Sequence, residues 1–389
     1  MKVLLLSQGR TIQDQPDYDA SFRAAKFKGA PVEVVNIPFI GYISQHGEAA
    51  FYNEVLRIND EFNPDLVFFQ FYHSGGDKGI VKCCRDLKAS RNSPLIFGSI
   101  GDLFYTGILK YLARPLPNSI LGLASCADAM FSTSMGNVAD ELARHGGRNI
   151  VFLPNAFCPE HFPDWESEIL CERNYDVVML CTKGRLIGRR PVVSFCNNLR
   201  RRRIVSGLTH HFQDRFAVFG RNWQGGSGKG VIPFNEQLKV YRNSRVVVDA
   251  PAPILHTDYY SSDRAFFMLA SGTPLVHFHT PRFETMLRPE EHAYFVYRLK
   301  DVCSVCERAL SLPPDVLAER AKNIRKFVKE RHLISNRIDT ILSTAEALMK
   351  HRQDGLPLDD ALHAIRMWHF LPEIGLSNEY RYCVRNWVG

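Results

Sequence analysis

From Ser262 to Val276 the chain runs through the polar triplet Ser262-Asp263-Arg264, an apolar stretch over Ala265 to Ala270, then Gly272 and Thr273-Pro274-Leu275-Val276. Serine and aspartate begin helices, a glycine suits the left-handed position that closes one, and the apolar pair after the proline reads as a buried strand. A helix N-terminus presents unpaired N–H groups and a partial positive charge, and Arg264 adds a full one. The chemistry offered is anion binding, for example of a nucleoside diphosphate. Ser261, Ser262, Asp263 and Arg264 are therefore candidate anion-binding residues. Arg264 is also a candidate catalytic group, able to stabilise charge on a departing phosphate.

A second cationic stretch, Cys181-Thr182-Lys183-Gly184-Arg185-Leu186-Ile187-Gly188-Arg189-Arg190, follows the apolar run Asp176 to Leu180. Cations fixed beyond the carboxyl end of a strand can offset charge on a leaving phosphate without a metal. Lys183, Arg185 and Arg189 are the candidates; pairing of one or two with surface carboxylates is the competing reading. Gly220 and Arg221 follow Phe216 to Phe219, where a glycine lets backbone approach a ligand. A plain strand-end turn with Trp223 packed on the core accounts for the same residues. Gly9, after the first apolar run, would give N–H groups access to a phosphate or an acceptor. Asp102 first and His73 second are the candidates for contacting or deprotonating an acceptor hydroxyl, and each also reads as a hydrogen-bonded loop residue. The segment Ala250 to Ser262, with Pro251, Pro253, His256, Asp258, Tyr259 and Tyr260, fits a loop lining a sugar pocket or an ordinary connector.

Two other patterns are set aside. Gly225-Gly226-Ser227-Gly228-Lys229-Gly230 misses the phosphate-binding loop pattern at Trp223, where glycine is required, and at Gly230, where serine or threonine is; it reads as a flexible surface loop. Cys303-Ser304-Val305-Cys306 has no second pair, so no metal site is expected.

The segment around Arg264 resembles the GT-B glycosyltransferases, most closely the CgeB-like branch (spore maturation protein type) near the large family 4 of retaining enzymes. The pattern there is roughly R-x-F-E-x-x-A-x-G-x-P, matched at Arg264, Phe266, Ala270, Gly272 and Pro274. Phe267 stands where the family has a glutamate that holds the donor ribose, and Tyr259 where a second glutamate is common. Pro154, Asn155 and Phe162 match a further P-N-G-x-D-x-x-x-F segment, with Ala156 replacing its glycine. The resemblance implies two doubly wound Rossmann-like α/β domains facing a central cleft, with a C-terminal helix crossing back to the first. It also implies transfer of a sugar from a nucleotide-diphosphate donor to a hydroxyl acceptor, without metal or cofactor and with retention. Under it, Lys183, Arg185, Arg189, Gly220, Arg221, Gly9 and Ser261 to Arg264 become donor-binding candidates. Absence of both glutamates motivates a second reading, a catalytically impaired GT-B-derived binding or scaffold protein.

The elements that must position these residues follow from the apolar runs. Val3 to Leu6, Val32 to Ile37, Leu66 to Phe69, Leu95 to Phe97, Ala129 to Ser132 and Ile150 to Leu153 alternate with amphipathic stretches, as buried parallel strands do. A proline-rich break after Leu153 precedes a second series: Asp176 to Leu180, Phe216 to Phe219, Val246 to Val248, Pro274 to Val276 and Tyr294 to Val296. The expected domains are 1–158 on the acceptor side, 170–350 binding the nucleotide-sugar, and a helical tail over 351–389 packed back on the first.

With 389 residues, 45% apolar and 23% charged, the chain fits two ordinary domains and excludes disorder. No apolar run is long enough to span a membrane, and ten cysteines are scattered without a secretory signal, so a cytoplasmic protein is expected. A net charge of +7 favours anionic partners. Its densest concentration, Arg200-Arg201-Arg202-Arg203, reads first as a solvated helix end. The sharper readings are a membrane-surface patch or a nucleic-acid patch, the latter motivating a glycosyltransferase that acts on hydroxylated DNA bases.

Overall fold

The computed structural model describes residues 1–74, 76–101, 116–167, 173–184, 191–251, 257–355, 361–362, 364–365 and 381–388, with 191–196 as backbone. The described residues divide into two compact units: one takes those up to Pro154 together with Ile334 onward, the other Asn155–Leu333. Among the described residues no helix is long and apolar enough to cross a membrane.

The first unit opens with β1 (Lys2–Ser7), α1 (Pro16–Ala24), a short hairpin of β2 (Lys26–Phe27) and β3 (Ala30–Pro31), and β4 (Glu33–Pro38). There follow α2 (Phe39–His46), α3 (Glu48–Phe62), β5 (Leu66–Phe69), α4 (Asp77–Ala89), β6 (Leu95–Ile100), α5 (Asn118–Cys126), β7 (Ala129–Ser132), β8 (Met135–Gly136), α6 (Asn137–Arg144) and β9 (Ile150–Phe152). The central strands are apolar on both faces because helices cover both; β5, β6, β7 and β9 are buried throughout. Leu4 of β1 pairs in parallel with Val35 on one side and Val67 on the other.

The second unit contains β10 (Tyr175–Leu180), α7 (Pro191–Phe212), β11 (Phe216–Phe219), α8 (Gln237–Arg242), β12 (Ser244–Asp249), β13 (Thr257–Asp258), α9 (Asp263–Ala270), β14 (Leu275–Phe278), β15 (Ala293–Val296), α10 (Val302–Leu310) and α11 (Pro314–Arg331). Its sheet has the order β11-β10-β12-β14-β15 and is parallel throughout. The reversal of strand order at β10 is a switch point, where ligands of such sheets gather beyond the carboxyl ends of the strands. Val177, Met179, Val218, Val246, Val248 and Val276 form the core with Ile204, Leu208 and Phe212 of α7. The glycine-rich loop is hydrogen-bonded rather than free: Val218 N–H donates to Ser227 O at 2.8 Å and Lys229 N–H returns to Val218 O at 3.0 Å. It thus covers the open edge of β11, which an unpaired edge strand needs.

Chain end and helix α12 (Ile334–Asp354) belong to the first unit. The expected second domain, 170–350, therefore ends earlier, at Leu333. α12 buries Ile338, Ile341, Ala345 and Leu348 and packs on α1, and the fully buried Arg337 donates from Nε to Pro154 O at 2.8 Å. Burial pushes that guanidinium down to about 9. The tail, read as helical, also supplies β16 (Val384–Arg385), antiparallel to β9 and ending the sheet order β16-β9-β7-β6-β5-β1-β4. Asn149 fixes it, accepting from Val388 N–H at 2.6 Å and donating to Val388 O at 3.0 Å.

Candidate functional site

The carboxyl ends of the second unit's strands carry the polar groups. β12 spends its apolar residues on Val246, Val247 and Val248 and ends on Asp249, 3% exposed. Parallel register sets Asp249 beside His277 of β14, with Nε2 3.4 Å from Oδ2 and both side chains buried. Neither atom has a hydrogen-bond partner among the described residues. Desolvation holds the imidazole neutral, lowering it to about 3, with Arg200 and His279 adding to the effect. Burial likewise raises the Asp249 carboxyl, against the pull of Arg264, Arg201 and Arg200 in that order.

Those cations come from two helices. On α7, Ile204, Val205 and Leu208 are buried, and Arg201 lies three, four and seven positions before them on the same stripe. Arg201 lies midway along α7, and its neighbour Arg200 reaches the backbone just beyond β12, which sets this part of the helix at the carboxyl ends of the strands. Arg200 is tied down beside it: Nη1 donates to Pro251 O at 2.7 Å, and the guanidinium lies 4.5 Å over the Phe278 ring. Arg202 donates to Gly184 O at 3.2 Å. Only Arg203 of this run is exposed. The solvated helix end expected at Arg200-Arg201-Arg202-Arg203 is thus corrected, and as a nucleic-acid or membrane patch the run presents one exposed cation, too few for strong electrostatic binding.

Arg264 stands in the first turn of α9, behind the N-cap Ser262 and beside Asp263, whose Oδ1 accepts the Arg264 N–H at 2.8 Å. The helix is anchored by Ala265 to Ala270, all buried, and ends before Gly272, whose φ of +76° favours glycine and where a Cβ would crowd Ala321 at 3.0 Å. Desolvation opposes the Arg264 charge, but Asp249, Tyr241, Asp263 and Tyr260 together raise its pKa. Arg201 goes the other way, lowered by desolvation and then by Arg264 itself. Arg201 Nε, Arg264 Nε and the N-cap Ser262 Oγ are buried without a hydrogen-bond partner among the described residues. Unused guanidinium donors of Arg264 and Arg201 and an unused hydroxyl at the N-cap of α9 offer a cradle of hydrogen bonds that an anion could accept.

Other predicted residues take the following places. Lys183, just beyond β10, donates its N–H to Arg221 O at 3.0 Å, accepts Asn222 Nδ2 at 3.1 Å, and holds Nζ 5.5 Å from the Trp223 ring. Gly220 has φ +140°, and a Cβ there would lie 2.1 Å from Cys181 O; contact with the neighbouring loop explains this glycine. Trp223 packs on the core and donates Nε1–H to Cys181 O at 2.6 Å. Arg221 is exposed. Ser261 is buried and accepts Asn155 Nδ2 at 3.0 Å.

In the first unit, His73 is exposed, its Nδ1 2.8 Å from Phe71 O. At Gly9 the expected access for a phosphate is not offered by the next two amides: Asp14 Oδ2 already accepts the N–H groups of Arg10 at 2.6 Å and Thr11 at 3.2 Å. Gly9 is required because a Cβ would meet Thr11 O at 2.7 Å. Asp102, Arg185 and Arg189 lie outside the described residues.

Phe267 turns into an aromatic cluster, with ring centroids 5.9 Å from Phe157, 5.5 Å from Phe162 and 5.6 Å from Phe234. It is a core residue at 1% exposure. Tyr259 is fully buried at φ +63°, its N–H on Pro281 O at 2.8 Å. Cys303 and Cys306 are free thiols on α10, Cys306 buried and raised by desolvation. Sequence reasoning missed Asp249, His277 and the inward course of Arg200 and Arg201. An acid ending a valine run, a histidine inside an apolar strand, and the spacing from Arg201 to Ile204, Val205 and Leu208 were the available signals.

Against known proteins, the family described as Glycosyl transferase-like matches residues 200–343, which include Arg200, Arg201, Asp249 and all of α9. No curated protein matches the chain. Among solved structures, the chain is similar to Anabaena Alr3699/HepE in complex with UDP and glucose, at 12% identity and TM-score 0.51, covering 92% of this chain and 100% of that one. A glycosyltransferase from Rickettsia africae aligns at 10% identity and TM-score 0.57, over 90% of this chain and 98% of that one. An alpha-glucosyltransferase in complex with UDP-glucose and DNA containing an abasic site aligns at 11% identity and TM-score 0.56, over 88% and 98%. At such identities the likeness is one of fold. The chain thus has the GT-B glycosyltransferase fold of its solved neighbours, and residues 200–343 are similar to the glycosyl transferase-like family.

Proposed function

We propose that the protein is a glycosyltransferase of the CgeB-like, family-4-like branch, moving a sugar from a nucleoside diphosphate donor to a hydroxyl acceptor. The observation that carries this reading is Arg264 in the first turn of α9, its Nε and the N-cap Ser262 Oγ buried without a hydrogen-bond partner among the described residues, with Arg201 Nε of α7 likewise unpartnered. A diphosphate would satisfy these donors, and as the glycosidic bond to it breaks, the charge growing on the leaving oxygen strengthens the same contacts. Binding that is stronger in the transition state than in the ground state is what accelerates transfer. Arg201, Arg264 and the unpartnered Ser262 Oγ at the start of α9 would hold the phosphates, with Lys183 beyond β10 as an additional cation. On this reading protein cations supply the charge stabilisation, no resident metal is needed, and the reaction retains anomeric configuration. In a retaining transfer Asp102 and His73 position the acceptor instead of acting as bases. The free cysteines suit a reducing compartment, in keeping with work in the cytoplasm.

One observation favours the second reading, a GT-B-derived binding protein: Phe267 lies in the aromatic cluster and offers a ribose no acceptor. Calorimetry against UDP-, GDP-, ADP- and TDP-sugars, paired with a donor hydrolysis assay, decides between the two. The enzyme binds one of them at micromolar to millimolar concentration and slowly hydrolyses it. Binding without hydrolysis selects the binding protein, and silence across the panel refutes the donor site.

A further inference from the structure

Side chains alternate along a strand, so a strand that sends one set into the core sends the other to its opposite face. β15 is the last strand in the order of the second unit's sheet, and its Tyr294 and Val296 enter the core with Val302, Cys306 and Ala309 of α10. Phe295 and Tyr297 therefore fall on the other face. Asp301 at the N-cap of α10, with Val305 and Arg308, forms a second stripe beside the buried one. At this edge of the sheet, Phe295, Tyr297 and that stripe line a groove of about 370 Å³, with Glu290 from the turn before β15 as a further wall. The size falls within that of small-molecule sites, about 300–1,000 Å³.

The groove is built from fixed parts. Tyr297, at 67% exposure, is the most exposed large apolar side chain among the described residues. It is nevertheless held: its ring rests on His279, with centroids 4.7 Å apart and planes 32° apart, and His279 Nε2 lies 2.9 Å from Glu284 Oε2. Phe295, 6% exposed, stands edge-on to both His277 and His279 at 6.0 Å. Glu290 takes a left-handed conformation at φ +66°, its N–H donating to Ala293 O at 2.8 Å and its carbonyl accepting from Arg320 Nη1. Each acid of the groove is matched by an arginine: Arg308 Nη1 is 3.1 Å from Glu290 Oε1, and Arg298 Nε donates to Asp301 Oδ2 at 2.8 Å.

We infer that this groove is a binding site for a short neutral glycan. The paired charges leave it without a net charge, which selects against both phosphates and cations. What they offer instead is directional: carboxylate oxygens with free lone pairs accept hydroxyl protons, and guanidinium N–H groups donate to hydroxyl oxygens, at fixed positions. An aromatic face carries partial negative charge, so it attracts the polarised C–H bonds on the flat side of a pyranose ring. A sugar is the ligand that presents both surfaces at once, C–H groups on its face and hydroxyls around its rim. Tyr297 would take the face, and Glu290, Asp301 and Arg308 the rim. This site goes beyond the donor reading and shares no residue with the surroundings of Arg264, so it serves an enzyme and a binding protein alike.

The test is saturation-transfer NMR followed by calorimetry on the full chain. Its probes are the methyl glycosides of glucose, galactose, mannose and N-acetylglucosamine, with maltose, cellobiose, lactose and chitobiose. At least one should bind at millimolar concentration. Tyr297→Ala should weaken that sugar about tenfold or more with an unchanged melting curve, because the side chain is mostly exposed. Tyr297→Phe, which keeps the ring, should stay within about threefold of wild type. Glu290→Gln leaves Arg308 unmatched, so it should weaken the neutral sugar and move the preference toward glucuronic acid. Silence across the panel, or equal binding by Tyr297→Ala, overturns the inference. So does tighter binding of glucuronic acid or glucose 6-phosphate than of any neutral sugar by the wild type. Displacement of the bound sugar by UDP, GDP, ADP or TDP would place it beside Arg264 and overturn it as well. The first three of these failures leave the donor reading standing, and the last supports it.

Discussion

Replacing Arg264 by alanine tests the cradle directly, because the residue's structural and functional contributions differ in size. Its guanidinium is pulled by Asp249, Tyr241, Asp263 and Tyr260 and pushed by Arg201. On removal, the repulsion of Arg201 disappears, and Asp249, already raised by burial, can take up a proton and avoid standing as an uncompensated buried charge. The net stability change is therefore small, on the order of 1 kcal/mol, or about 2–4 °C in Tm for a unit of this size. The functional loss is larger. A fixed cation meeting charge on a leaving phosphate contributes about 2–4 kcal/mol to the transition state, or about 30-fold to nearly a thousand-fold in rate. Ground-state affinity for the diphosphate falls less, by about tenfold or more. Donor hydrolysis under single-turnover conditions, calorimetry with the nucleoside diphosphate panel and a melting curve measure the three quantities on one preparation. Arg264→Lys, which keeps the charge but loses the planar fork, should fall between wild type and alanine. If Arg264→Ala hydrolyses donor at the wild-type rate with unchanged diphosphate affinity, the cradle assignment is wrong.

Further predictions follow from the same geometry. His277, lowered to about 3 by burial, takes up protons in the unfolded chain from about pH 6.5 downward but in the folded chain only near 3. Its contribution is thus present above about pH 6.5 and is lost as pH falls toward 3, amounting at most to a few kcal/mol; His277→Gln should flatten this acid arm in urea titrations at pH 7 and pH 4. Gly220→Ala puts a Cβ 2.1 Å from Cys181 O at φ +140°, and a loss of about 3 kcal/mol in urea unfolding is expected; stability within a few tenths of wild type would contradict the close approach. Phe267→Glu restores the residue type of the resembling family at that position. It should nevertheless destabilise the second unit by several kcal/mol, seen as a sharp fall in Tm, because the carboxylate would enter the rings of Phe157, Phe162 and Phe234; a gain in donor affinity at unchanged Tm would refute the buried placement.

The sheets were largely legible in the sequence, since a parallel strand buried on both faces must be apolar at every position. Leu66 to Phe69, Ala129 to Ser132 and Phe216 to Phe219 read as strands and are strands at those residues. The helix from Asp263 closing at Gly272 was legible too, because capping chemistry is local. What escaped depended on partners distant in sequence. β16 needs β9, more than two hundred residues away, to become a strand at all. Four consecutive arginines look solvated until Arg201 is seen to continue the apolar stripe of α7 and Arg200 to reach Pro251 O beyond β12, a partner fifty-one residues away. Asp249 looks like an ordinary end to a valine strand until register sets it beside His277, 3.4 Å away.

Those residues share a physical logic that Phe267 completes. The side of α9 that begins with Arg264 faces charge, while three positions later Phe267 is given entirely to aromatic packing. A helix of this length cannot serve a ribose through a residue that is also the keystone of its anchoring cluster; here anchoring has taken the position. The cluster fixes the direction of the α9 axis, and the axis direction fixes where the first-turn amides and Arg264 point. If the donor is held, it is held by its phosphates. Affinity should then fall steeply from nucleoside diphosphate to monophosphate, and only weakly when the ribose 2′-hydroxyl is removed, for want of a Phe267 acceptor. Competition of UDP, UMP and 2′-deoxy-UDP, or the corresponding series for whichever base binds best, measures both steps. A deoxy penalty of a hundredfold or more would mean that another residue has taken over the ribose and that the helix is not specialised for phosphate alone.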